Sequence, residues 1–438
     1  MQRGNRGGRR ARGTFTVALA AVLAACSEGL EYPQTTFQPV TDYGDALNRV
    51  FANTFWWTML ILVLVTALIL FVIVRFREQP GQPHPKQIHG NTRLELIWTI
   101  IPAIIVVLIG IPTVQTIFAT QGRPADDALV VEVIGHQWWW EFRYPEQNVV
   151  TANQFYVPVG RQVHLRIHSA DVIHSFWVPR LGGKRDANPL PRTAEGERQR
   201  YNHILFTANE PGVFSGQCAE FCGESHGIMA ISAVAVPADD FEAWVVSMRD
   251  PEPPPPATQP APADTLAGAP DTTAGDSAAA AIVATPPPAA QDTGAPPAQQ
   301  QPQAPVDSTG LPLRGTPQQL QRALAGEQPV ADPSQAALIA EGQRIFLSKP
   351  CIACHSIAGT TARGVVGPNL TRFGDRPTVG AGALPNTQEN VVRWIIDPRA
   401  VKAGALMPGT REPAAGFPAT GLTDEETRAV AAYLLSLR

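Results

Sequence analysis

A chain of 438 residues has room for two or three domains. Its net charge of -4, from 34 basic and 38 acidic side chains with no basic stripe, excludes the electrostatic footprint of a nucleic-acid binder. The 44% hydrophobic and 16% charged fractions average over unlike regions: the chain opens apolar, continues with ordinary composition and then turns proline-rich. All five cysteines fall in recognisable chemical contexts, which leaves none for structural disulfides.

Residues 1–26 read as a targeting segment. Arg3, Arg6, Arg9, Arg10 and Arg12 precede a short apolar run, Phe15 to Ala25, that ends in L-A-A-C at Cys26. Small residues before a cysteine resemble the lipobox of bacterial lipoproteins, which implies cleavage before Cys26 and lipidation of its thiol. A plain signal peptide with an incidental cysteine is the competing reading.

Residues 43–122 read as a transmembrane helical hairpin. Trp56 to Val74 and Leu96 to Thr120 carry no charge, and each is long enough to cross a hydrocarbon core of roughly 30 Å. Arg75, Arg77, Lys86 and Arg93 lie in or beside the connecting loop, so the positive-inside bias puts that loop in the cytoplasm and both flanking segments outside. Trp56, Trp57 and Trp98 suit the interfacial belts, and Pro102 and Pro112 are expected to bend the second helix.

Between residues 126 and 249 the pattern becomes short alternating stretches such as V-V-E-V-I-G and Q-V-H-L-R-I-H, separated by Gly and Pro. This period of two predicts an outward-facing β-sandwich or barrel. Residues 250–333 are rich in Pro, Ala, Gln, Thr and Gly and read as a disordered linker, with a mucin-like or wall-spanning stalk as the rival. As a coil of about 80 residues, such a linker spans roughly 50 Å root-mean-square. Residues 334–438 read as a small all-α domain, with helices at Ser334 to Phe346, Gln388 to Asp397 and Asp424 to Leu437. Thr423 with Glu426 three residues on predicts a capped start for the last of these.

The densest chemistry is the stretch Cys218 to Met229, C-A-E-F-C-G-E-S-H-G-I-M. Two thiols, an imidazole and a thioether in a dozen residues indicate a soft-metal site. Copper leads because methionine joins the set, while a zinc site completed by an upstream histidine and a simple disulfide remain alternatives. C-I-A-C-H at Cys351 to His355 is the attachment signature of c-type haem, with His355 as the first axial ligand. A thioredoxin-like redox pair would need a βαβ context that is missing. Met407 is the only methionine after that motif, and no histidine follows His355, so Met407 is expected to be the second axial ligand.

Residues 334–438 resemble class I cytochrome c domains, including G-P-N-L at Gly367 to Leu370, and the resemblance implies first and last helices that cross near Gly342 and Tyr433. S-A-D-V-I-H-S-F-W-V-P at Ser169 to Pro179, L-E-L-I-W-T-I-I-P at Leu94 to Pro102, G-H-Q-W-W-W at Gly135 to Trp140 and the Cys218 stretch resemble subunit II of cytochrome c oxidase. That family carries a dinuclear copper centre, CuA, in a cupredoxin-like domain.

The resemblance implies that Cys218 and Cys222 bridge two coppers, that His174 and His226 each bind one, and that Met229 and the Glu220 carbonyl complete the set. It implies further that the Glu220 carboxylate and Asp186 join a Mg2+ site shared with subunit I, although the segment after Asp186 reads A-N-P-L-P-R where the family runs directly into P-G-R. Trp138 matches the aromatic residue through which electrons enter CuA, with an interface or core tryptophan as the alternative. Glu95 matches the acid at the mouth of a proton path, with a simple helix-end carboxylate as the alternative. His164, His168 and His203 read as structural, and His136 is open.

The expected whole is multidomain: hairpin, cupredoxin-like β-sandwich, linker and cytochrome c domain. The implied function is subunit II of a proton-pumping haem-copper oxidase. Electrons from a cytochrome c or a respiratory complex would reach the fused haem c, then CuA, then subunit I, in assembly with the other oxidase subunits. The expected location is the bacterial inner membrane, with both metal-bearing domains on the periplasmic face. The rivals are the CuA-bearing subunit of a nitric-oxide reductase and a copper-carrying lipoprotein. A quinol oxidase subunit is disfavoured because that branch lacks the copper ligands retained here.

Overall fold

The computed structural model describes residues 34–77, 81, 90–189, 201–249 and 333–438. The targeting segment with Cys26, the Lys86 portion of the loop and all but the last residue of the expected linker lie outside them. Two long helices come first, α1 (Asp42–Arg75) and α2 (Thr92–Thr120). Thr41 caps α1 and Asn91 caps α2, each by accepting a backbone N–H. Both helices are apolar nearly all round and their side chains are almost wholly exposed, the pattern of a surface meant for lipid. Pro102 and Pro112 both sit within α2, which continues unbroken through them.

The start of α1 is sewn into the next domain. Thr41 Oγ donates to the Leu181 carbonyl at 2.6 Å, and Asp42 accepts the Thr207 N–H at 2.7 Å. Tyr43 lies over Gly182 and Gly183, where any Cβ on Gly182 would collide with the phenol ring.

That domain is a two-sheet sandwich. One sheet has the order β3 (Val149–Ala152), β2 (Trp139–Tyr144), β1 (Leu129–His136), β5 (Gln162–Ser169), β8 (Asn202–Thr207). The other has the order β4 (Gln154–Pro158), β10 (Ala230–Val236), β9 (Gly212–Cys218), β6 (His174–Trp177), β7 (Arg185–Ala187). The parallel pairing of β1 with β5 puts Leu129, Val131 and Val133 level with Val163, Leu165 and Ile167, and all six are fully buried. The period of two in the sequence is therefore the inward face of this sheet. His164, Arg166 and His168 occupy the alternate positions. The His164 and His203 rings approach to 5.8 Å at right angles. Burial, reinforced by Arg166 and His203, pushes His164 down to about 4, so it stays neutral at pH 7.

The last domain is helical around a second core. Helices α4 (Pro333–Ser348) and α8 (Asp424–Ser436) cross at Gly342, which fits only because a Cβ there would run into the Ala429 backbone and the Tyr433 side chain. Tyr433 is fully buried at that crossing. Thr423 and Glu426 form a reciprocal capping box at the start of α8. Between these helices lie α5 (Cys351–Cys354), α6 (Gln388–Ile396) and α7 (Pro398–Val401). Helix α3 (Ala238–Arg249), which follows β10, closes the sandwich with Phe241, Trp244, Val245 and Met248 turned inward.

Candidate functional site

The copper-site candidates converge at one end of the sandwich. His174 opens β6 and Cys218 closes β9. These strands are neighbours, with Phe176 opposite Cys218. The loop from Ala219 to Met229 then returns to β10, and the Cys218 N–H bonds to the Met229 carbonyl at 3.0 Å, closing it on itself. Cys218 Sγ lies 3.8 Å from Cys222 Sγ, 3.9 Å from His174 Nδ1 and 3.3 Å from the Glu220 carbonyl. Cys222 Sγ lies 3.6 Å from His226 Nδ1 and 3.8 Å from Met229 Sδ. A disulfide needs about 2.05 Å between sulfurs, so the two thiols are separate. His174, Cys218, Cys222 and Met229 are buried, and the Glu220 side chain is exposed.

The second ring of contacts orients these donors. His174 Nε2 donates to Asp171 at 2.8 Å, which leaves Nδ1 facing the thiols. Burial alone would lower the His174 pKa, but the bonds to Asp171 and Cys218 outweigh it and the net shift is upward. Cys218 is driven strongly down, first by its hydrogen bond with Cys222 and then by His174 and backbone N–H groups, so this thiol is the one held as thiolate. Gly135 is required beside His174, because a Cβ there would stand 2.7 Å from the imidazole.

Gln137 and Trp138 form the turn between β1 and β2. The Trp138 indole N–H and the Gln137 side-chain amide both donate to the Cys222 carbonyl at 2.9 Å, while the Gln137 backbone N–H donates to Asp171 at 2.6 Å. His136 turns away, stacked on Trp139 and bonded to Glu141 at 2.9 Å.

In the helical domain, Cys351, Cys354, His355 and Met407 line one largely apolar cavity. His355 Nδ1 donates to the Pro368 carbonyl at 2.8 Å, which leaves Nε2 as the nitrogen that would hold a haem iron. Burial holds the His355 pKa below its usual value, so the ring is neutral as a ligand must be. Gly367 lies against the ring, where a Cβ would stand 2.7 Å from Cε1. Paired thiols, a neutral imidazole and a thioether on the wall of one apolar cavity fit a covalently bound haem.

Trp138 also lines the haem-side cavity, together with Trp139 and Gln137. The two domains meet there. Lys402 donates to the Trp138 carbonyl at 2.6 Å and to the Gly380 carbonyl at 2.8 Å, and Ser225 Oγ donates to the Ala403 carbonyl at 2.5 Å. Residue chemistry alone gave no sign of Asp171 as an orienter or of Lys402. For Asp171 the available signal was its place three residues before His174. Lys402 had none, because its partner lies 264 positions away.

Two other candidates stand apart. Glu95 accepts the Asn91 N–H at 3.1 Å, a helix-end contact at the start of α2. Asp186 is exposed on β7, opposite Ser175.

Comparison with known proteins identifies the class that this fold and these donors define. Family models match at residues 34–116 (cytochrome c oxidase subunit II, transmembrane domain), 147–236 (cytochrome c oxidase subunit II, periplasmic domain) and 339–438 (cytochrome c). A cytochrome c oxidase subunit 2 from Alkalihalophilus pseudofirmus is 30% identical over 385 residues, covering 86% of this chain and 83% of that protein. A quinol oxidase subunit 2 from Bacillus spizizenii is 32% identical, but over only 53% of this chain and 70% of its own. The crystal structure of the periplasmic domain of cytochrome oxidase subunit II from Bradyrhizobium japonicum matches at 30% identity and a TM-score of 0.26, covering 29% of this chain and 96% of that one.

The chain belongs to the cytochrome c oxidase subunit II family, fused to a cytochrome c domain. It is a component of a haem-copper oxidase, a membrane protein whose C-terminal domains face outward. Its subunit II domain implies CuA copper and its cytochrome c domain implies haem, and the soft donors at both places suit those groups.

Proposed function

We propose that this chain is the electron-accepting subunit of a proton-pumping cytochrome c oxidase of the bacterial inner membrane. When bound, haem c and dinuclear CuA supply the one-electron chemistry that carries electrons from a cytochrome or respiratory complex to subunit I, where oxygen is reduced to water. Cys351 and Cys354 attach the haem, and His355 and Met407 hold its iron. Cys218, Cys222, His174, His226, Met229 and the Glu220 carbonyl hold the coppers.

The observation that carries this reading is the position of Trp138. Its ring lines the cavity that holds the haem ligands, and its indole N–H bonds to Cys222. One side chain thus touches both sites. Asp171 takes His174 Nε2 and the Pro368 carbonyl takes His355 Nδ1, so the other ring nitrogen of each is the one turned toward its site. The exposed Glu220 carboxylate and Asp186 are assigned to a Mg2+ site shared with subunit I, and Glu95 to a proton path.

The purified complex should hold two coppers and one covalent haem in this subunit. Cys218→Ser should stop oxygen consumption driven through the haem while leaving the haem reducible. Zinc in place of copper, or turnover that continues in that variant, overturns the proposal. Reduction of nitric oxide rather than oxygen by the isolated complex would assign the subunit to a different reductase.

A further inference from the structure

Lys402 is 3% exposed and stands at the seam between the copper and cytochrome domains. Both of its hydrogen bonds run to backbone carbonyls, one in each domain, Trp138 and Gly380. Either protonation state of the amine keeps at least two N–H groups, so both bonds persist whether or not Lys402 is charged. A buried lysine stem is costly to order, and one that spends its head group on two carbonyls acts as a fixed pin rather than a solvated surface charge.

The contacts around it are equally close. Gly404 lies flat on the Trp138 indole, where any Cβ would collide with the ring. The Ala230 N–H at the start of β10 donates across the seam to the Ala381 carbonyl at 2.9 Å. A Cβ on Gly382 would stand 2.6 Å from that of Ala230. Under these contacts Trp138 is left 9% exposed.

We propose that Lys402 is a positioning residue that pins the cytochrome domain onto the Gln137–Trp138 turn, so that the fused domain both faces the copper site and covers Trp138 against any soluble cytochrome. The proposal deepens the electron route proposed above and rests on it for its functional meaning. Lys402 acts through Trp138: it holds the carbonyl of the residue whose indole holds Cys222.

The test uses the intact oxidase complex with Lys402→Met, a change that keeps the length of the stem. Amide exchange at Ala230 should speed up by about ten-fold, the loss expected when a hydrogen bond from a charged or strongly polar donor is removed. Haem-to-copper electron transfer after rapid photoreduction should slow by about as much, and an added soluble cytochrome should begin to reduce the copper directly. The haem attachment and copper content should not move. Unchanged exchange at Ala230 in a variant that keeps its haem and copper overturns the pin.

If Lys402→Met fails to retain haem, Ser225→Ala carries the test from the copper-domain side, since it removes only the bond to Ala403. It should give a smaller rise in exchange at Ala230, and no rise is the overturning result. Absence of haem-to-copper transfer in the unsubstituted complex would instead overturn the electron route, while the exchange data would still decide whether Lys402 pins the seam.

Discussion

The two metal-bearing domains hold their groups by opposite means. In the sandwich, the donors sit at strand ends and in one short loop, and hydrogen bonds aim them: Asp171 on His174, Trp138 and Gln137 on the Cys222 carbonyl, Met229 on the Cys218 N–H. The core of the domain, led by Trp140, Phe142, Phe155 and Phe176, runs up to the donors and takes in Cys218, Cys222 and Met229, so side chains alone fill it. In the helical domain, the donors stand on the walls of an apolar cavity, and those walls include core residues such as Phe346, Leu370, Val430 and Leu434. The difference teaches that the copper donors belong to a core that side chains already fill, whereas the haem ligands face a cavity inside theirs.

The largest effect expected from this contrast comes from removing the haem. Replacing Cys351 and Cys354 together by alanine should abolish attachment and, with it, the cooperative thermal transition of the cytochrome domain, because unfilled core volume is costly. The transition of the copper domain should stay within about 3 °C. A cytochrome domain that still melted cooperatively without haem would break the comparison.

A smaller effect is expected at the copper site. Asp171→Asn should lower copper affinity by about 10- to 100-fold, measured by competition with a chelator, while the domain stays folded. Undiminished affinity would mean that the strand ends alone aim His174. The smallest effect concerns His164 on the outer face of the sandwich. Its pKa of about 4 lies below the ordinary value of 6.5, so the unfolded chain takes up more protons in that interval and stability falls as pH drops from about 6.5 toward 4. The melting temperature of the copper domain should fall by about 4 °C over that range, and His164→Gln should flatten the profile. An unaltered profile would place the acid sensitivity elsewhere in the sandwich.

Much of this was legible because the relevant signals are short and periodic. Alternation between Leu129 and Val133 and between Val163 and Ile167 announced the inward face of a sheet, and Thr423 with Glu426 announced a helix start. The thiols, His226 and Met229 sit within a dozen residues, so their convergence needed one loop and one neighbouring strand. The seam was not legible. Gly404 carries no side chain to betray its contact with Trp138, and the carbonyls bound by Lys402 belong to no residue type in particular. Backbone acceptors leave no trace in a sequence, and a buried lysine looks the same as an exposed one. Asp171 lay between these cases, close to His174 in the chain but with a role that only the fold of the Gln137–Trp138 turn completes.

The clasp of Tyr43 over Gly182 and Gly183, with Thr41 tied to Leu181 and Asp42 to Thr207, also sets a mechanical datum. No spacer separates the first turn of α1 from the copper sandwich, so the helix and the sandwich move as one cantilever. The position of the Cys218–Cys222 pair relative to the start of α1 is then set by side-chain packing at this joint. Any lateral tilt of α1 in the bilayer would be transmitted to the copper site as a displacement, so membrane thickness becomes a physical variable to which the distance between this site and an adjoining subunit is geared.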